Sequence, residues 1–500
     1  MNKTPTILII MDGIGISDQT AGNAVRTANT PFLDRFRQEF AATTLVASGS
    51  AAGLNAGQPG NSETGHLNIG AGRIVPQNFP RISKAIDDGS FSANPAFLHV
   101  MNQCAESGAS LHLCGLLTES GIHAHISHLF ALVRMARDRG LQKVYIHAFL
   151  EGRGKVSGAD FLRRVLNVCN ELGTGKIATV TGRGFAMDRE QRWDLIEQTY
   201  DAMVYGGNGE NSSDPVETVE KCYSRGIVDE WIEPIVCDRD GTVSDHDGII
   251  FFNFRSDRMR ELVRAFTDPA FEGFTRQCFP LTCVSVTDYG IPGVTAAFPF
   301  PPVRNGLGEY LSRLGLKQLR IAETARFQQI TRFLNGGTEA PFAGEDRVEI
   351  PSVPGAAWDT QPEMNAEKVC ETCVEKIESG TYDLIAVNFA NCDVVAHTGN
   401  FESTVQAVEC VDACVGRVTE AALKMGGIAM ITSSCGNAEQ MLHADGSVMA
   451  ESTTNPVPFL LCGAGSKLRP GRLADIAPTL LDVMGLACPD EMEGRTLIVE

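Results

Sequence analysis

Eight short apolar runs recur between longer amphipathic stretches, and this alternation most constrains the fold. They are TILIIMD (6–12), LHLCGLLT (111–118), KVYIHAFL (143–150), KIATVTG (176–182), GIIFFNF (248–254), CVSVTDY (283–289), LIAVNFA (384–390) and IAMITSS (428–434). Runs this short, rich in Val, Ile and Phe, read as strands buried on both faces. Helical periodicity fills several of the intervals, for example 402–425, which ends before Gly426-Gly427. Strands alternating with helices predict α/β layers with largely parallel sheets. At 500 residues the chain exceeds one hydrophobic core, so two or more domains are expected.

Polar residues cluster just after the strands. Asp12 follows the first run, Asn388, Asp393 and His397 follow LIAV, and Ser433, Ser434 and Cys435 follow IAMIT. Ligands of open α/β sheets bind outside the carboxyl ends of the strands. Strands from the two ends of the sequence therefore converge on one site. This predicts one domain built from 1–76 and 312–500, with 77–311 inserted as a second. Gly- and Pro-rich passages at 290–306 and 335–356 read as linkers or loops.

The formal net charge of −19 argues against nucleic acid and anionic membrane as partners. A small anionic substrate then needs a local pocket of Arg and Lys. No apolar run approaches the roughly 18 residues of a transmembrane helix. The first apolar stretch is too short for a signal peptide, so a cytoplasmic protein is expected. The 15 cysteines sit largely inside apolar runs, as Cys114 and Cys462 do, which is free-thiol core usage. Cys370 and Cys373 form a CxxC within a helical pattern, with no second pair at zinc spacing, and read as one helix face.

Several segments carry a family resemblance. They include MDGIG (11–15), GNSETGHLNIGAGRIV (60–75), GIHAH (121–125), HAFLEGR (147–153), GRGFAMDREQRW (182–193), FFNFRSDRMR (251–260), NFANCDVVAHTGN (388–400), GNAEQM (436–441), TTNPVPF (453–459) and LADIAPTLLD (473–482). In order and over essentially the whole length, the chain resembles the cofactor-independent phosphoglycerate mutases. The resemblance implies an alkaline-phosphatase-like domain formed by both chain ends, which carries metals and nucleophile. It also implies an inserted α/β phosphotransferase domain that binds substrate. In that glycolytic family two Mn²⁺ ions activate a serine. The serine takes the phosphoryl group of 3-phosphoglycerate and returns it to the other hydroxyl, giving 2-phosphoglycerate.

Ser62 matches the family nucleophile, although Ser followed by an acidic residue also fits a helix N-cap. Among metal-ligand positions Asp12, Ser62, Asp393 and His397 are kept. Asp393 and His397 stand four apart, a spacing that sets them side by side on a helical turn. Three ligand positions are substituted: the family's Asp is Ser434, its neighbouring His is Cys435, and its last His is Ser452. Neutral Ser is a poor replacement for Asp at a divalent ion. Cys435 as a thiolate would favour Zn²⁺ over Mn²⁺. His443, Asp445 and Glu451 lie nearby in sequence as substitute ligands. Arg326 stands where the family has a Lys; it keeps the charge but cannot give up a proton. For substrate, His123, Arg153, Arg183, Arg189, Arg255 and Arg258 occupy family positions, while Gly154 replaces the Asp expected to hold the glycerate hydroxyls.

Three readings follow. The first is a divergent enzyme that transfers a phosphoryl or related group on a phosphoglycerate-like substrate. The second is a non-catalytic phosphoglycerate-binding or regulatory paralogue, and the third an ordinary mutase with substitute ligands. A monomer is expected in each.

Overall fold

The computed structural model describes residues 3–152, 156–207, 212–353 and 357–499. The chain divides into two compact units, Met1–Gln77 with Pro302–Glu500, and Asn78–Pro301. Sequence places the return to the first unit at 312. The structure places it ten residues earlier, because Leu307 and Leu311 of the helix Leu307–Arg313 already pack into the first unit's core.

The first unit is built on an eight-stranded sheet. Its order is Glu345–Ile350, Gln318–Glu323, Leu384–Phe389, Thr6–Met11, Ile428–Thr432, Val457–Cys462, Ala41–Val46 and Gly471–Arg472. The first five strands run parallel, and Val457–Cys462 pairs antiparallel with both neighbours. Thr6–Met11 lies between Leu384–Phe389 and Ile428–Thr432, in register Ile10 to Asn388 and Ile10 to Thr432. Every residue of this strand is buried, and its side chains alternate between two cores. Ile7, Ile9 and Met11 pack under the helices Ala366–Glu378 and Phe401–Lys424, while Leu8 and Ile10 face Leu307, Ile476 and Leu480. That two-sided burial is why TILIIM shows no polar alternation. Cys370 and Cys373 are fully buried on the inner face of Ala366–Glu378.

The second unit has a seven-stranded sheet, in the order Ile235–Val236, Lys176–Gly182, Val144–Leu150, Leu111–Leu117, Gly248–Phe251, Thr282–Ser285 and Val294–Ala296. All neighbours are parallel except the first pair.

The passage 335–356, read from sequence as a loop, contains the edge strand Glu345–Ile350. Its sequence EDRVEI is charged because only its ends are buried, and edge strands carry such charges without aggregating. Likewise 290–306 contains Val294–Ala296, at the opposite edge of the second sheet.

Candidate active site

Four adjacent parallel strands of the first unit end at one place. Thr6–Met11 delivers Asp12, Leu384–Phe389 delivers Asn388 and leads into Asp393, Ile428–Thr432 leads into Ser434 and Cys435, and Gln318–Glu323 leads into Arg326. Gly13 follows with φ of 88°, and a Cβ there would lie 2.5 Å from the Asp393 backbone nitrogen. Glycine is required for this loop to close against its neighbour.

Ser62 is the first residue of the helix Ser62–Ala71. It is not the cap: Asn61 takes that role, its side chain accepting from Thr64 N at 2.9 Å. Ser62 Oγ is thereby released from the backbone and donates to Asp12 Oδ2 at 2.6 Å. The other oxygen of Asp12 accepts from the Ser434 hydroxyl. His66, one turn along, is fully buried. Its Nε2 lies 3.2 Å from Asn388 Nδ2 and its Nδ1 2.8 Å from the Ser62 carbonyl. The amide donates to Nε2, so Nδ1 carries the proton and donates to that carbonyl. Burial lowers the pKa of His66, which keeps the ring neutral. In this arrangement the group placed to accept the Ser62 proton is Asp12, not His66.

Arg326 spans the carboxylates of Asp12 and Asp393. Nη2 donates to Asp393 Oδ2 at 2.5 Å, and Nε lies 3.3 Å from Asp12 Oδ2 without the alignment of a hydrogen bond. Its side chain is 16% exposed, against 0% for Asp12 and 3% for Asp393. Burial acts to lower the Arg326 pKa, but Asp393 and Asp12 outweigh it and raise it. Asp393 is also contacted by His397 Nε2 at 3.3 Å, Asn437 Nδ2 at 3.0 Å and the Cys435 thiol at 3.9 Å. Burial pushes the Asp393 carboxyl up, yet His397 and Arg326 hold it well below the usual carboxylate range. The bond to Asp393 raises the pKa of His397, whose Nδ1 faces the Ala450 carbonyl at 2.7 Å.

This donor set does not fit the two-Mn²⁺ centre implied by the resemblance. Both carboxylates are already engaged by one guanidinium, and Ser434 and Asn437 present donors rather than lone pairs to them. Burial and the nearby Asp393 and Asp12 push the Cys435 thiol well up, which opposes its expected role as a thiolate for Zn²⁺. Among the described residues, no group of three His, Cys, Asp or Glu side chains is arranged to hold a metal ion. Ser452 lies half-buried beside Thr453. The candidate substitutes His443 and Asp445 are exposed on a hairpin, where Asp445 accepts from Ser447 N at 2.9 Å, and Glu451 is exposed beyond it.

Sequence reading overlooked Glu439, the fully buried acid of GNAEQM. It accepts from Gly15 N at 3.0 Å, Asn437 N at 2.8 Å, Asn455 Nδ2 at 3.0 Å and the Thr453 hydroxyl. It thereby ties the loops bearing Asp12, Cys435 and Ser452 together.

In the second unit, strand carboxyl ends gather the predicted anion-binding residues. Arg183, 5% exposed, sets Nε 3.1 Å from Glu230 Oε1 and Nη1 3.9 Å from Glu151 Oε1. Arg189 and Arg255 share Asp257, at 3.3 and 3.0 Å. Arg258 Nη1 donates to the Met187 carbonyl at 3.3 Å. Burial, reinforced by Arg255, pushes His123 down to about 4, and its buried Nδ1 has no hydrogen-bond partner. A neutral imidazole near the Arg183, Arg255 and Arg258 guanidiniums suits an oxyanion ligand, which would supply the missing partner. Arg153, assigned to the same role, lies outside the described residues, as does Gly154.

Comparison with known proteins decides the family. The family model described as BPG-independent PGAM N-terminus (iPGM_N) matches residues 82–290. A 2,3-bisphosphoglycerate-independent phosphoglycerate mutase of Clostridium botulinum (strain ATCC 19397 / Type A) is 46% identical, with 100% of both chains covered. The chain belongs to this mutase family. A mutase of the same description from Methanosarcina acetivorans is 45% identical over 100% of this chain and 99% of its own. The solved structure of Leishmania mexicana phosphoglycerate mutase at low cobalt concentration superposes with a TM-score of 0.72 at 27% identity. It covers 99% of this chain and 98% of its own.

Proposed function

We propose that this chain is a divergent phosphoglycerate mutase that transfers a phosphoryl group on a phosphoglycerate-like substrate through Ser62. The observation that carries the reading is the 2.6 Å hydrogen bond from Ser62 Oγ to Asp12, beside the Arg326 guanidinium. A serine hydroxyl needs a proton acceptor to become a nucleophile, and Asp12 is within reach. As Ser62 Oγ bonds to phosphorus, its proton passes to Asp12 and the phosphorus–oxygen bond of the substrate breaks. The released substrate oxygen takes that proton from Asp12 and becomes a hydroxyl. Return of the group to the neighbouring hydroxyl reverses these steps. Arg326 stabilises charge on the transferring oxygens without itself exchanging a proton.

In this reading the first unit carries the nucleophile, and the second unit recognises the substrate carboxylate and phosphate through its arginines. The protein acts as a cytoplasmic monomer on a small anion. Among the described residues no helix is long and apolar enough to cross a membrane.

A non-catalytic, phosphoglycerate-binding role is the second reading. It is favoured by the engagement of both Asp12 and Asp393 with Arg326, which leaves little net positive charge for a phosphoserine dianion. Incubation with 3-phosphoglycerate, followed by phosphorus NMR and intact mass, separates the readings. Formation of 2-phosphoglycerate with a phosphoryl adduct lost in Ser62→Ala supports transfer. Calorimetric binding with neither product nor adduct supports the binder. Turnover that requires added Mn²⁺ supports an ordinary mutase.

A further inference from the structure

We infer that Arg326 is a resident cation that replaces the family's divalent ions, so that this centre takes up no metal. The inference rests on the proposed reading only in taking Asp12 and Asp393 as the mutases' metal-ligand positions. It does not require turnover.

The first support is the bridging geometry. A single planar group reaches Asp393 Oδ2 at 2.5 Å and lies 3.3 Å from Asp12 Oδ2, so one side chain lies between the two carboxylates. A guanidinium is planar, keeps its charge at any working pH and suits two carboxylates at once.

The second support is the chemistry of the substitutions. Where the family has a further Asp, Ser434 donates a hydroxyl hydrogen to Asp12 Oδ1. Where it has a His, Cys435 sets a thiol 3.9 Å from Asp393 Oδ1, and Asn437 adds an amide donor at 3.0 Å. Metal ligands have thus been exchanged for hydrogen-bond donors aimed at the surviving carboxylates. A carboxylate surrounded by donors and one cation is satisfied without a divalent ion. An aspartate at position 434 would instead press a second negative charge against Asp12. The Arg and the substitutions at 434 and 435 therefore form one mutually consistent set.

The third support is Arg326 Nε, a buried donor with no hydrogen-bond partner. It faces Asp12 beside Ser62, where an incoming oxyanion would satisfy it.

The test uses the full chain and Mn²⁺ alone as probe. Metal content after dialysis against Mn²⁺ is expected at background, and the melting temperature is expected to be the same in Mn²⁺ and in chelator. Arg326→Met leaves two carboxylates without their cation, and Mn²⁺ is then expected to raise its melting temperature. If that variant does not fold, a variant carrying Arg326→Lys, Ser434→Asp, Cys435→His and Ser452→His is expected to bind Mn²⁺ instead. Stoichiometric Mn²⁺ in the wild type, or equal stabilisation of wild type and Arg326→Met by Mn²⁺, overturns the inference. Absence of turnover with background metal would end the transfer reading and leave the resident cation standing. Metal-dependent turnover would end the resident cation and leave the family chemistry standing.

Discussion

Gly65 and Ser434 touch so closely that a Cβ on Gly65 would lie 2.5 Å from the Ser434 carbonyl oxygen and 2.6 Å from its Cβ. The helix bearing Ser62 is seated on the loop bearing Ser434 through this contact. Gly65→Ala would gain about 1 kcal/mol of helix propensity. Overpacking against backbone costs roughly 2–3 kcal/mol, so the clash wins. Denaturant titration is expected to show a net loss of about 1–2 kcal/mol. Any phosphoryl adduct on Ser62 is expected to fall with it, because the Ser62–Asp12 bond depends on that seating.

Removal of the bridging cation is a stability experiment as well as a functional one. Arg326→Met strands Asp12 and Asp393, which are almost inaccessible to water. Breaking a buried pair by deleting one partner costs about 3–5 kcal/mol. Chemical denaturation at neutral pH is expected to show a loss in that range. Adding Asp393→Asn to the Arg326→Met chain is expected to recover part of it. An additive, uncoupled result would mean that the ion pair contributes little.

Glu439 accepts hydrogen bonds from four donors and meets no other charged group among them. Glu439→Gln turns one acceptor oxygen into an NH₂ that faces donors. A loss of about 2–3 kcal/mol is expected from thermal or denaturant unfolding, on the scale of hydrogen bonds to charged groups. Unchanged stability would show that the loops hold without this acid.

The second unit carries a pH dependence of calculable sign. Burial pushes His128 down to about 3, while its ring sits 3.2 Å from Ser83 Oγ and against Phe79 and Phe254. An unfolded histidine titrates near 6.5, so the unfolded chain binds the proton more tightly. This contribution to stability is therefore lost as pH falls from about 6.5 toward 3. By pH 5 it amounts to about 2 kcal/mol. Denaturant titrations of wild type and His128→Gln at pH 7 and pH 5 measure it, with the smaller drop expected in the variant.

The strands that sequence displayed are those whose burial is two-sided. In TILIIM the polar residue is the first, Thr6, and in LIAVNF it is Asn388 near the end that reaches the site, so neither interrupts the apolar run. The strand Gln318–Glu323 was hidden because its interior holds Arg320, which is completely buried and donates to Gln318 Oε1 at 2.7 Å. A charged residue in a strand signals exposure, and the complete burial of Arg320 is a tertiary fact. At the site, motif matching named Ser62, Asp12, Asp393 and His397 through their flanking residues. It also allowed Ser62 as the helix cap, a position that the structure gives to Asn61. It could not show Arg326 reaching two carboxylates, because the Arg lies on the five-residue helix Thr324–Gln328 whose direction is set by packing.

The place of Thr6–Met11 in the middle of its sheet has a consequence for biosynthesis. Its two neighbours are Leu384–Phe389 and Ile428–Thr432, so this strand waits for partners made much later. About 380–420 residues separate them, on the order of a minute of translation at 5–20 residues per second. All seven strands of the second unit fall inside that interval and can pair as they emerge. Throughout it TILIIM has no sheet to join, and a short apolar segment of this kind readily pairs with other chains. The nascent amino-terminal segment is thus the part of this protein most dependent on shelter at the ribosome.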